Sequence, residues 1–152
     1  MRCIFISRVL GIDLGQRRIG LALSDPTETI ARGLEVIHID GKKDIFSILK
    51  NIVQTYDVST IILGLPRNMD GTLGEQALKI KDFALKLEEN LPEQKIDYYD
   101  ERLSTREALN TLLLADISRA GRKKVIDKVS AVIILQGYLD SLKRKIQADP
   151  EK

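Results

Sequence analysis

The chain has 152 residues, 43% of them hydrophobic, which is enough for one domain with a real core and too few to divide comfortably into two. Its single cysteine, Cys3, and single histidine, His38, exclude an internal disulfide and a structural zinc cluster built on those ligands, so any metal must sit on oxygen. With 24 basic residues against 22 acidic ones, a formal charge of +2, overall charge makes no case for nucleic acid, and the placement of charges matters more than their sum.

The leader "MRCIFIS" (residues 1–7) is too short for a secretory signal, and apolar stretches such as Ala131 to Leu135 fall far short of the roughly 18 residues of a membrane span. The expectation is a soluble, cytoplasmic protein with no membrane partner. Arg8 to Leu14 and Arg18 to Ser24 are apolar runs of strand length joined by the short "GQRR", which predicts a hairpin, and Leu34 to Ile39 reads as a third strand. From Asp44 to Tyr56, Ile45, Ile48, Leu49, Ile52 and Val53 recur at helical spacing. Thr60 to Leu65 follows as a near-continuous apolar strand stopped by Pro66. Thr72 with Glu75 forms a capping-box signature for a helix running to about Asn90, and Ile96 to Glu101 is the next strand. Ser104 with Glu107 repeats the device for a helix ending near Ile117, and a last helix runs from about Val125 to Ile146 before a polar tail over 147–152. No repeat or linker divides the chain, so residues 1–152 read as one domain. The order β β β α β α β α α implies an α/β fold with a mixed five-stranded sheet flanked by helices, the outline of a ribonuclease-H-like (RNase H-like) fold.

Asp13 ends an apolar run and is flanked by Gly11 and Gly15, where a buried unpaired carboxylate costs several kcal/mol. Glu101 closes the last predicted strand and Asp127 opens the C-terminal helix. If the first and last strands both lie near the middle of the sheet, these three acids converge. A cluster of hard oxygen ligands with open positions suits Mg²⁺ or Mn²⁺ and the cleavage of phosphodiesters. Each acid also has a plainer reading: Asp13 as a turn residue, Glu101 as a partner of Arg102, Asp127 as a complement to its helix dipole. Asp100 competes with Glu101, but successive strand side chains point to opposite faces and only one of the pair reaches the site.

Phosphate contacts are expected from Arg119, Arg122, Lys123 and Lys124, which lie just before the helix bearing Asp127. The loop "GLPRNMDGTLG", Gly64 to Gly74 with Asn68 in it, leads into a helix N-terminus suited to a phosphate. Arg17 and Arg18 follow Asp13 and serve either as backbone contacts or as turn residues, a choice the sequence leaves open. Tyr98 and Tyr99 read as core rather than as base-stacking groups.

The stretches "GIDLGQRRIGLALSD", "ILGLPRNMDGTLGEQA", "YDERLSTREA" and "KKVIDKVSAVIILQGYLD", in this order and spacing, resemble the YqgF family of Holliday-junction-resolvase-like proteins over about Val9 to Asp140. "IDLG" alone also resembles the phosphate loop of actin-like ATPases and sugar kinases, but those enzymes close two such lobes on nucleotide and this chain supplies one. The resemblance implies an RNase-H-like fold and a bacterial cytoplasmic nuclease acting in 5′-end processing of the small-subunit (pre-16S) ribosomal RNA precursor, with ribosomal precursor particles as a partner. Resolution of four-way DNA junctions and a non-catalytic nucleic-acid-binding module are the alternatives. The family's first-strand aspartate falls on Asp13, its "DER" glutamate on Glu101 and its C-terminal-helix aspartate on Asp127. The leader is the one departure from the family's usual start.

Overall fold

The computed structural model describes residues 7–41, 44–66, 70, 72–100 and 130–143. The apolar runs form strands β1 (Arg8–Leu14), β2 (Arg18–Ser24), β3 (Ala31–His38), β4 (Val58–Leu65) and β5 (Lys95–Asp100). The helices are α1 (Ile45–Thr55), α2 (Glu75–Asn90) and α3, described over 130–143. The strand order is β3-β2-β1-β4-β5, antiparallel across β1, β2 and β3 and parallel across β1, β4 and β5. Among the described residues no helix is long and apolar enough to cross a membrane.

Handedness decides which face each helix covers. The chain crosses the sheet in one direction twice, from β3 to β4 through α1 and from β4 to β5 through α2, and right-handed crossovers made in one direction place both helices on one face. Leu10, Ile12, Ile19, Leu21, Ile61 and Leu63 pack there against Leu49, Ile52, Ile80 and Leu87. Phe46 of α1 and Phe83 of α2 stack with ring centroids 5.3 Å apart. The opposite face carries Val9, Ala22, Ile62 and Tyr99, covered by Ala131, Ile134, Leu135 and Leu139 of α3. Gly11 shares the alternation of Val9, and α3 sits directly on it. A Cβ there would come within 2.8 Å of Leu135 Cβ and 3.3 Å of the Ala131 carbonyl, so the absence of a side chain permits the contact.

Four sequence expectations are corrected. The C-terminal-side neighbour of β1 is β4, and β5 is the edge strand among the described residues, so the first and last strands are not both central. Helix α2 is capped by Gly74, with no side-chain cap bond. Thr72 stands two residues before that cap, and its N–H and hydroxyl both donate to Asp70 Oδ1, at 2.9 and 2.6 Å. Strand β3 starts at Ala31 rather than Leu34, since Ala31 pairs with Ser24 and its N–H donates to Gln136 Oε1 on α3. Strand β4 starts at Val58 rather than Thr60, with a register shift opposite Arg8 and Val9. On the other side of β1, at the same end, the Val9 N–H donates to the buried Ser24 Oγ of β2 at 2.8 Å. The expected helix from Ser104 to Ile117, the leader over 1–6 and the tail lie outside the described residues.

Candidate active site

Because β1, β4 and β5 are parallel, their carboxyl ends open onto one edge of the sheet, where crossover loops leave a crevice for ligands. Asp13 is the penultimate residue of the central strand at this edge. It alternates with Val9 and Gly11 and therefore stands on the α3 side. Its side chain is half-buried. Across the antiparallel join it pairs with Gly20. One step beyond the Ile12–Leu63 pair, the parallel join brings Gly64 level with it. Two positions without side chains thus flank the carboxylate, and Asp13, Gly15, Gln16, Arg17, Arg18 and Gly20 line an open hollow of about 180 Å³.

The hairpin beside Asp13 is fixed from three directions. Gly15 N–H donates to the Arg18 carbonyl at 2.9 Å, a turn so tight that a Cβ on Gly15 would lie 2.8 Å from that oxygen. The Arg17 carbonyl accepts from Ile39 N–H at 2.8 Å, tying the turn to the end of β3. The Leu14 carbonyl accepts from Gln76 Nε2 of α2 at 3.4 Å. Asp13 is therefore carried by a central strand and a braced turn rather than by a loose loop, as a precisely aimed ligand requires.

Of the residues expected at the site, Asp13, Arg17 and Arg18 are placed. Arg17 is exposed in the turn, while Arg18 opens β2 on the face that holds Gly20 and Ala22, which is the face of Asp13. Asn68, Glu101, Arg119, Arg122, Lys123, Lys124 and Asp127 lie outside the described residues. Among the described residues no three His, Cys, Asp or Glu side chains come together as a metal site. Tyr99 is buried under α3 and Tyr98 packs on the opposite core, as expected of core residues. Sequence reasoning missed Gln76 and the two flanking glycines. Gly20 inside an apolar strand was the available signal, since glycine there marks a close approach.

A family model described as "RuvX: Holliday junction resolvase" matches residues 7–141. The chain belongs to the RuvX (YqgF) family. Its RuvX relatives include a protein of Thermoanaerobacter pseudethanolicus, 50% identical over 91% of this chain and 99% of that one, and a protein of Syntrophomonas wolfei, 47% identical over 88% and 94%. Both carry the name "Putative pre-16S rRNA nuclease". Among solved structures, RuvC of Thermus thermophilus superposes with a TM-score of 0.58 at 15% identity, covering 90% of this chain and 96% of that one. A complex of T. thermophilus RuvC with a Holliday junction gives 0.56 at 16% identity, covering 86% and 91%. These likenesses show that this RuvX chain has the RNase-H-like fold.

Proposed function

We propose that this RuvX protein is a divalent-metal-dependent nuclease that hydrolyses phosphodiester bonds in 5′-end processing of the pre-16S ribosomal RNA precursor, acting in the cytoplasm as a single domain. The observation that carries the reading is Asp13, a carboxylate held by the central strand at the carboxyl edge of a parallel sheet, between two glycines and beside an open hollow. The names of the relatives supply the substrate.

We assign Glu101 and Asp127 as its partners. Tyr99 is buried on the α3 side, and position 101 shares its parity, whereas Asp100 pairs with Leu65 of the opposite core. Asp127 lies four residues before Ala131 in the sequence, about one turn of the helix that the sequence predicts from Val125, and Ala131 sits against Gly11, two residues before Asp13. The donor set is all carboxylate oxygen, with no cysteine or histidine lining the hollow, which fits Mg²⁺ or Mn²⁺. When bound, such an ion supplies charge stabilisation at the phosphate and an acidified water. The chain's own residues do the rest: Gly20 and Gly64 leave room for the backbone beside Asp13, and Arg17, Arg18, Asn68 and the run Arg119, Arg122, Lys123, Lys124 hold phosphates away from it.

The test compares wild type and Asp13→Asn on precursor ribosomal RNA and on a four-way DNA junction, with Mn²⁺ or with chelator, alongside thermal unfolding with and without Mn²⁺. The expected result is Mn²⁺-dependent cleavage of the RNA that falls on the order of 100- to 1,000-fold in the variant, with Mn²⁺ raising the melting temperature of wild type only. Without metal the variant is expected to be at least as stable as wild type, because repulsion among clustered carboxylates is relieved. Equal cleavage and equal metal stabilisation would return Asp13 to the role of a turn residue. Cleavage confined to the junction would favour the resolvase reading, for which the description of the family speaks.

A further inference from the structure

Strand β3 changes face partway along. Ala31 packs under α3, yet Ile37, six residues later, packs in the opposite core with α1. Regular alternation would put two residues six apart on one face. The register explains the change, because Ala22 pairs with Gly33 while its neighbour Leu21 pairs with Glu35, so Leu34 is the extra residue of a β-bulge. Beyond the bulge Gly20 pairs with Val36 and Arg18 with His38.

One consequence falls on the only histidine in the chain. Without the bulge His38 would point to the α1 side; with it, His38 stands on the α3 side, opposite Arg18 and on the face of Asp13. Directly paired residues on one sheet face hold their Cβ atoms about 5 Å apart. Strands lie about 4.8 Å apart, so β3 is roughly 10 Å from β1. A line from Asp13 over Gly20 and Val36 to the sheet edge is therefore floored by a glycine and a valine and bordered by Arg18 and the exposed His38. Bulges recur beside functional sites because they re-aim a side chain in this way.

We infer that His38 is a nucleic-acid-binding residue which, with Arg18, forms a ledge for the phosphodiester backbone extending from the Asp13 site across β2 to the edge strand. The inference rests on the nuclease reading above. Imidazole offers an N–H donor to a phosphate oxygen and the guanidinium offers a paired donor. The separation of two strands means that His38 meets a phosphate next to the reacting one, which makes it a binding residue and not a catalytic one.

The test measures fluorescence anisotropy of a labelled RNA carrying the precursor 5′ end, using full-length protein in an Asp13→Asn background so that the probe survives. His38→Glu is compared with His38→Lys and with Arg32→Glu, an exposed residue of the same strand that pairs with Leu23 before the bulge and faces the α1 side. The ledge predicts that His38→Glu weakens binding about tenfold, that His38→Lys tightens it and steepens the salt dependence by about one phosphate contact, and that Arg32→Glu changes it less than about twofold despite the larger charge change. Equal weakening by the two glutamates, or indifference to both substitutions at His38, overturns the ledge while leaving the nuclease reading intact. Absence of any RNA or DNA-junction binding overturns both. Should His38→Glu fail to fold, judged by circular dichroism, the tightening and the salt slope of His38→Lys decide the question.

Discussion

Asp25 organises the β2–β3 connection through its own carboxylate. Oδ1 accepts from the N–H groups of Thr29 and Ile30, each at 2.8 Å, and Oδ2 accepts from Thr27 through both N–H and hydroxyl. Glu28 takes a left-handed φ of 58° to close the loop. The Ile30 N–H first, then the Thr27 hydroxyl and the Thr29 N–H, hold this carboxyl well below the ordinary aspartate value of 3.8. A depressed value in the folded state means that the stabilisation is fully present above 3.8 and is lost as pH falls below it. Thermal melts from about pH 5 down to about pH 2.5 are therefore expected to drop more steeply for wild type than for Asp25→Asn, which should already be weaker at neutral pH. A second residue-scale prediction follows from alternation in β5. Glu101→Gln should abolish most cleavage while Asp100→Asn retains most of it, and the reverse ranking would show that position 101 does not share the face of Tyr99.

At the scale of elements, α3 is seated by two devices. Gly11 admits Leu135, and Gln136 grips the loop: its Oε1 accepts from Ala31 N–H at 2.9 Å while its Nε2 donates at 3.0 Å both to the Thr29 carbonyl and to Asp140. The amide thus satisfies a donor and an acceptor of the backbone where β3 begins. Gln136→Leu leaves both without their partner and should cost about 1–3 kcal/mol, read as a lower denaturant midpoint. The start of α2 shows why a local pattern can mislead. Thr72 and Glu75 have the spacing of a capping box, but Gly74 caps the helix, and Thr72, two residues before that cap, donates to Asp70.

For the whole molecule, the net charge of +2 gives little general attraction for nucleic acid, so affinity must come from local clusters. Replacing Arg119, Arg122, Lys123 and Lys124 together by alanine is expected to weaken binding across sequences and to flatten its salt dependence, each lost phosphate contact removing about 0.7–0.9 from the slope. An unchanged slope would make the run a connector. The parallel half of the sheet supports this division of labour, because the edge that displays Asp13 is also the edge at which β4 and β5 end.

Among the described residues, the sequence by itself determined which segments are strands and which are helices. Strands β1 and β2 match their apolar runs residue for residue, α1 follows its helical spacing, and the run into Pro66 is a strand. These are local properties, set by periodicity and by residues that cannot continue a helix or strand. The sequence also marked Asp13 as an anomaly within an apolar frame. Only the tertiary structure decided which way Asp13 faces, because β1 is apolar on both sides and alternation without a packed partner does not say which side α3 covers. The same holds for strand order, where inserting β4 between β1 and β5 is a choice of pairing between segments distant in sequence. It holds most of all for His38. Its side of the sheet depends on one unpaired residue, Leu34, and a bulge exists only once two strands are in register.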